Sequence, residues 1–508
     1  MAGMNKYILA IDQSTSGTKA LLTDRNGTVL ARCSEEHKQH YPKPGWVEHD
    51  PLEIYENVKK SALAVLRQAG ISAAELAVLT ITNQRETAVL WDRNTGEPVC
   101  NAIVWQCQRT ADRCGEYRAA GHEAAVTAKT GLMLDPYFSA AKWGWMLEHA
   151  AGAQEKLADG RLLAGTIDSW LVWKLTGGKV HATDYTNASR TSLFNIHTLE
   201  WDEEMCRLFG VPSSLLPEVK YSDEVFGYTE AGGWLGETAV PISGVIGDSQ
   251  AALFGNLCLE EGMAKATYGT GTSVLMNVGA RPAPAGSGLV QTIAWGREGI
   301  VTYALEAVIR TSGDSLKWLR DNLGLFSSFE EMERLLEDAP DNEGVYLVPA
   351  FVGLGAPYWQ PNARASITGM NRGTGKAHLI RAALESIAYQ VYDAVSLLQS
   401  ESGVALEELR ADGGAADNAL LMQFQSDMLG KKVVRAGVAE LSAMGSVYLG
   451  GMAAGIWSSA EELEASVRSS RTYEPQMDPS ARDKCLTGWQ KAVTALVREV
   501  GEAPIPMK

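Results

Sequence analysis

Two short turns carry the residues best suited to chemistry in this chain. In YILAIDQSTSGTKALLTD, residues 7–24, Asp12 ends an apolar run of strand length, and Ser14, Thr15, Ser16 and Gly17 turn the chain toward Lys19 and a second apolar run. MAKATYGTGTSVLMN, residues 263–277, repeats the plan with GTGTS between two strands. Such turns present backbone N–H groups and hydroxyls with no bulky side chain in the way, which is how loops hold phosphate oxygens. Ser14, Thr15, Ser16 and Gly17 read as phosphate donors and Lys19 as a positive point charge. Asp12 would orient magnesium through water, because Mg²⁺ keeps much of its hydration. An ordinary hairpin uses the same residue types, so for one turn alone that alternative stays open. The loop is not a Walker A loop, since the Gly-Lys-Ser/Thr ending is absent. Two such turns, one near the start of each half, predict a nucleotide clamped between two lobes.

The elements that must position these turns follow the same order twice. After the first hairpin, Asp50-Pro51-Leu52-Glu53 supplies an N-cap, a proline at N1 and a capping-box glutamate, with Gly70 at the far end. Between them Tyr55, Val58, Ala62, Val65, Leu66 and Ala69 recur at helical spacing, and residues 76–83 then read as a buried strand. The second half offers the GTGTS hairpin, strands around 289–305, a long helix through Ile380, Leu384, Ile387, Val391 and Val395, and a strand into Asp412-Gly413-Gly414. Strands, helix, strand is the order of α/β proteins with a mixed sheet. The fold class expected is α/β, in two duplicated domains at residues 1–256 and 257–508.

At 508 residues the chain is too long for one core. A formal charge of −16 argues against nucleic acid or an anionic membrane as a main partner, so an anionic substrate must be held by local donors. The seven cysteines form no CxxC pair and read as reduced cytosolic thiols. The apolar run before Asp12 is too short for a signal peptide, and no later stretch approaches ~18 apolar residues. A soluble, cytoplasmic protein is expected.

YPKPGWVEHDP (41–51), ITNQRET (81–87), NAIVWQC (101–107), DYTNASRTSLFNIHTL (184–199), VPAFVGLGAPYW (348–359) and LMQFQSD (421–427) resemble the FGGY carbohydrate kinases, and among them the glycerol kinases. YFSAAKWGWMLEH (137–149) is similar to one signature of that family, and ASITGM with HLIRAALE (365–385) to the other. The resemblance implies two actin-like, ribonuclease-H-like domains of the hexokinase and Hsp70 superfamily, closing on ATP and Mg²⁺. It implies that Asp248 is the general base, where capping a helix that starts at Ser249 is the plainer alternative. Arg85, Glu86, Trp105 and Tyr137 with Asp248 and Ser249 become the acceptor site, against a surface ion pair and core aromatics as plainer readings. Thr270 would contact phosphates, Gly313 would admit the nucleotide closely, Lys317 would lie near it, and Gly414 with Asn418 would border the adenine. A homodimer or homotetramer is implied as well.

Several positions depart from what the resemblance implies. Lys19 replaces an arginine, and a lysine is a point charge where an arginine is a fork. Lys317 stands where the family commonly has glutamine. Ser249 and Ser273 stand where glutamine and phenylalanine are expected, and losing the phenylalanine opens space beside the acceptor. The expected reaction is transfer from ATP to a terminal hydroxyl of glycerol; a larger polyol or ketose such as erythritol, xylitol, xylulose or ribulose is the alternative. A nucleotide-gated binding protein of the actin and chaperone type is the reading from another class. Trp234 and Leu235 interrupt the glycine-rich loop that binds fructose bisphosphate in some glycerol kinases, and Ala239 stands where an arginine is expected, so no such inhibition is expected. Histidine phosphorylation around FGYTEAGG is not expected either.

Overall fold

The structure, a computed structural model, describes residues 6–284, 289–466 and 471–499. Residues 1–5 therefore lie outside the described residues, while the five-residue apolar run before Asp12 lies within them. The first half builds β1 (Tyr7–Gln13), β2 (Gly17–Thr23), β3 (Val29–Glu36), α1 (Pro51–Ala69), β4 (Leu76–Asn83), β5 (Gly227–Tyr228), β6 (Pro241–Gly247) and α2 (Asp248–Gly255). Its sheet runs β5-β6-β4-β1-β2-β3, with β1 antiparallel to β2 and parallel to β4. The second half builds β7 (Met263–Tyr268), β8 (Thr272–Gly279), β9 (Val290–Arg297), β10 (Ile300–Ile309), α3 (Gly313–Asp321), α4 (Lys376–Ser402), β11 (Glu408–Asp412), β12 (Val433–Arg435), α5 (Leu441–Ala453) and β13 (Arg471–Tyr473). Its sheet runs β9-β10-β8-β7-β11-β12-β13, with β7 antiparallel to β8 and parallel to β11. The core β3-β2-β1-β4-β6 recurs as β10-β8-β7-β11-β12, so the duplicated order expected from the sequence is present in both sheets.

The apolar run of β1 is continuous because both faces of its sheet are covered. Leu9 and Ile11 pack with Ile54, Val58, Ala62 and Val65 of α1, while Ile8 and Ala10 pack with Leu253, Phe254, Met444 and Val447 on the opposite face. Helix α1 begins as expected: Asp50 accepts from the Leu52 N–H at 2.9 Å, and Gly70 closes the end at φ 68°. Glu53 differs. Its carboxylate accepts from the Lys38 N–H at 3.2 Å, so it ties the preceding loop to the helix instead of completing a capping box. In α4 all five expected apolar positions are buried.

Helix α5 belongs to the second half of the chain but lies on the first sheet, against α2. The two helices meet backbone to backbone. A Cβ on Gly445 would collide with the Ala251 carbonyl, and one on Gly255 with the Leu441 carbonyl. The Gly445→Ala variant is accordingly expected to lose about 1–3 kcal/mol or more of stability through overpacking, read as a lower urea midpoint with unchanged m.

Candidate active site

The strand order brings the ends of β1, β4, β6, β7 and β11 to one cleft between the halves. Two cavities open there. One, of about 740 Å³, is lined by Asp248, Ser249, Lys265, Thr267, Ser273, Asp412, Gly414 and Glu440 among others. The second, of about 580 Å³, joins it at Gly414 and Asp417 and is lined by Thr270, Gly313, Lys317, Asn418 and the apolar side chains of Leu316, Phe329, Met332, Leu384 and Leu421.

Asp12 lies in register with Lys19 across β1 and β2. Burial pushes its carboxyl up to about 7, with Asp248 and Glu440 adding to the rise and Lys19 opposing it. The carboxylate has no hydrogen-bond or ion-pair partner among the described residues. A hard divalent cation that keeps its water fits such a group, since it would neutralise a carboxylate that burial leaves costly to ionise. No group of three or more His, Cys, Asp or Glu residues converges on a metal-sized point among the described residues, so the remaining ligands would be water and phosphate.

The first turn is tightly built. Ser14 uses its N–H and hydroxyl to close the turn on the Gly17 carbonyl, at 2.9 and 3.0 Å, so that hydroxyl braces the loop and only the others face outward. Gly17 is needed because a Cβ there would lie 2.6 Å from the Glu35 carbonyl. Thr15 Oγ1 accepts from Trp105 Nε1 at 2.9 Å, which leaves the hydroxyl proton free to donate. Ser16 is exposed at the tip. Lys19 forms an ion pair across the cleft with Glu440, the residue before α5, whose own φ is 63°. Behind the turn, Gln39 donates to the Thr15 carbonyl at 2.7 Å and lies 2.7 Å from His49 Nε2. His37 stacks edge-on against His49 with ring centroids 4.4 Å apart.

Burial pushes His49 down to about 3 and His37 below its ordinary value, so both rings are neutral in the fold. The unfolded chain takes up a proton near pH 6.5. Stability from His49 is thus fully present above about pH 6.5 and is lost as pH falls toward 3, at about 1.4 kcal/mol per pH unit. His49→Gln is expected to flatten the fall of Tm between pH 6.5 and 4, as checked by thermal melts across that range.

Arg85 and Glu86 follow β4, and neither is a surface group: they are 6 % and 1 % exposed. Arg85 Nε lies 3.1 Å from Asp248 Oδ1 and 3.9 Å from Glu86 Oε1, and Nη1 lies 3.6 Å from Glu306 Oε2. The closer partner of Glu86 is Arg190, whose Nε donates to Oε1 at 2.5 Å and whose Nη1 lies 3.3 Å from Glu306 Oε2. Burial works to raise Glu306, but Arg85, Arg190 and Lys265 overcome it and hold the carboxyl at about 2. Glu86 is raised, with burial outweighing Arg190 and Arg85. Trp105 and Tyr137 face each other at 5.3 Å, and the Arg190 guanidinium lies 6.0 Å from the Tyr137 ring. Lys142 donates to the Tyr137 and Phe138 carbonyls and so fixes the segment that carries the ring.

The N-cap of α2 is Gly247, and Asp248 is the first helical residue. Its Oδ1 accepts from the Ser249 N–H at 2.7 Å and meets Arg85, which leaves Oδ2 free toward the cavity. The plain capping alternative is therefore not what the geometry contains. At the second turn, the Thr270 carbonyl accepts from Ser312 at 2.8 Å, and a Cβ on Gly313 would lie 2.7 Å from the Gly269 carbonyl. Lys317 stands exposed one turn further along α3. Gly414 has open space around it; the glycine that the backbone requires is Gly413, at φ 88°, where a Cβ would lie 2.5 Å from the Tyr268 carbonyl. Asn418 reaches the cavity wall while capping its own helix through the Leu421 N–H at 2.9 Å. Arg190, Glu306, Lys265 and Glu440 were not among the residues expected. The usable signal was a charge inside an apolar strand, as at Glu306 in IVTYALEAVI and Lys265 in MAKATY.

No helix among the described residues is long and apolar enough to cross a membrane. The N-terminal domain of the FGGY family of carbohydrate kinases matches residues 7–255, and the C-terminal domain matches residues 264–454. Glycerol kinase of Carboxydothermus hydrogenoformans is 53% identical over 489 residues, covering 96% of this chain and 98% of the relative. That of Xanthomonas campestris pv. campestris strain ATCC 33913 is 52% identical over 490 residues, covering 96% and 98%. The solved structure of Plasmodium falciparum glycerol kinase with ADP superposes with a TM-score of 0.91 at 38% identity, covering 98% of this chain and 99% of that one. With both domains matched in order and half the residues shared with relatives of the same length, this protein belongs to the FGGY family of carbohydrate kinases.

Proposed function

We propose that this chain phosphorylates a terminal hydroxyl of glycerol from ATP. The observation that carries the reading is the grouping of Arg85 and Glu86 with Asp248, which lines a cavity also lined by Glu440, the ion-pair partner of Lys19, in a chain about half identical to proteins named glycerol kinase. The adenine would occupy the apolar cavity near Leu316, Met332 and Leu421, with Gly414, Asn418 and Lys317 at its border. The phosphates would lie along Thr270, Gly313 and the first turn, taking donors from Thr15, Ser16 and the turn N–H groups. Lys19 would exchange Glu440 for phosphate oxygens. Asp12 would hold Mg²⁺ through water, and the ion when bound would spread the charge of the phosphates.

Arg85 and Glu86 would take neighbouring hydroxyls of the acceptor, and Trp105 with Tyr137 would lie against its carbons. Asp248 Oδ2 would accept the hydroxyl proton as the acceptor oxygen bonds to the γ-phosphorus. The bond from that phosphorus to the ADP oxygen breaks in the same in-line step, and ADP leaves with its electron pair. Ser249 and Ser273 both line the larger cavity, and this favours a second reading in which a four- or five-carbon polyol or ketose is the better acceptor. Purified protein with Mg·ATP tests both against glycerol, erythritol, xylitol, ribulose, xylulose and no acceptor. Highest kcat/KM with glycerol supports the first reading, a longer acceptor ahead by tenfold supports the second, and ATP turnover indifferent to acceptor overturns both. Light scattering of the same sample reads the homodimer or homotetramer that the family resemblance implies.

A further inference from the structure

Lys265 sits in the middle of β7, on the face of the second sheet that looks into the cleft. The register places it beside Leu275 on β8 and Arg410 on β11, with Thr267 two residues on along the same face. Its side chain is 2 % exposed, yet it lines the larger cavity together with Asp248, Ser249 and Ser273. The ammonium makes one hydrogen bond, to Thr267 Oγ1 at 3.0 Å. No carboxylate lies within 4.0 Å of it among the described residues. An ammonium has three donors, and a buried one without an anion is costly. Nearby Glu306 already has two guanidiniums, from Arg85 and Arg190. Lys265 feels Glu306 only through space, so its ammonium keeps two donors without a hydrogen-bond partner among the described residues, and the cavity in front of them, where Asp248 also stands, has room for an anion from outside the chain.

We propose that Lys265 is a catalytic residue of this kinase, contacting an equatorial oxygen of the phosphoryl group as it passes from nucleotide to acceptor. The inference rests on the phosphoryl-transfer reading above. A cation fixed on a strand, with no direct ion pair to break among the described residues, needs little reorganisation when negative charge gathers at the transferring group, and such preorganised donors act mainly on kcat. Lys19 differs, since its ammonium is already paired with Glu440.

The test compares wild type with Lys265→Met, which keeps the length of the side chain and removes the charge. Two quantities are read: steady-state kcat and KM with the best acceptor, and calorimetric affinity for Mg·ADP with and without aluminium fluoride. The expected result is a fall in kcat of about 10²–10³ with both KM values within about threefold, and a matching loss of affinity for the fluoroaluminate complex but not for ADP alone. A kcat within threefold of wild type, or an equal loss of affinity for ADP with and without fluoride, overturns the proposal. Should the methionine variant melt more than about 10 °C early, Lys265→Arg decides. Arginine restores the charge but not the compact ammonium, so kcat reduced tenfold or more at unchanged Tm supports contact with the phosphoryl group, and unchanged kcat overturns it. If wild type hydrolyses ATP without phosphorylating any acceptor and Lys265→Met slows that hydrolysis with the same loss of fluoroaluminate affinity, the acceptor reading fails while the contact of Lys265 with the transferring phosphoryl group stands. If wild type phosphorylates an acceptor and Lys265→Met does so equally well, the reverse holds.

Discussion

Asp248→Asn is expected to lower kcat by about 10²–10⁴ while leaving the melting temperature within a few degrees. The asparagine Oδ1 can still accept from the Ser249 N–H, so the start of α2 keeps its local bond. Arg85 keeps Glu86 and Glu306 as counter-ions, so the buried cluster stays neutralised. What disappears is the Asp248 carboxylate oxygen that Ser249 and Arg85 leave unengaged, and with it the acceptor for the hydroxyl proton. Steady-state rates at saturating ATP and acceptor, with KM for ATP measured alongside, check this. A variant within tenfold of wild-type kcat would remove Asp248 from the role of base and direct attention to the other acidic groups of the cavity, Asp412 and Glu440.

A second variant is expected to act mostly on stability. Arg85→Met takes one cation from a buried set in which two guanidiniums face Glu86, Glu306 and Asp248. Removing one partner of a buried charge group strands the others, at a cost of about 3–5 kcal/mol. The acceptor KM should rise as well, since the fork beside Glu86 is lost. Removing charge in balance should cost less than the sum: Arg85→Met with Glu306→Gln together is expected to recover 1 kcal/mol or more, in the range of coupling energies between groups in contact. Urea unfolding of the two single variants and the double variant measures that coupling. Strict additivity would mean that Arg190 alone suffices for Glu306.

The sequence made the repeated scaffold and the two turns readable for a physical reason. Both are local patterns: Gly, Ser and Thr between apolar runs, Asp50 and Gly70 at the ends of α1, and apolar spacing through α4. The acceptor grouping was readable only through the family resemblance, since Arg85, Trp105, Tyr137 and Asp248 are far apart in the chain and no periodicity links them. Arg190 and Glu306 were missed because their significance is purely tertiary. Arg190 is an unremarked residue in a polar segment until Glu86 and Glu306 are brought to it from either side. Backbone geometry also decides between neighbours in ways a local pattern does not show: Gly247 is the N-cap and Asp248 the first helical residue, and Gly413 holds the left-handed position beside Gly414, which lines both cavities. Glu53 had the right spacing for its expected bond and found a better donor in a loop that the local pattern does not include.

The crossing of α2 and α5 also constrains how the cleft can open. With Gly445 against the Ala251 carbonyl and Gly255 against that of Leu441, the two helices are locked at backbone contact, and α5 packs on β1, β4 and β6 as well. A segment from the second half of the chain is thereby riveted to the first sheet. Spin labels on α2 and α5 are expected to keep their separation when nucleotide binds, because a joint closed on glycines leaves no slack to take up.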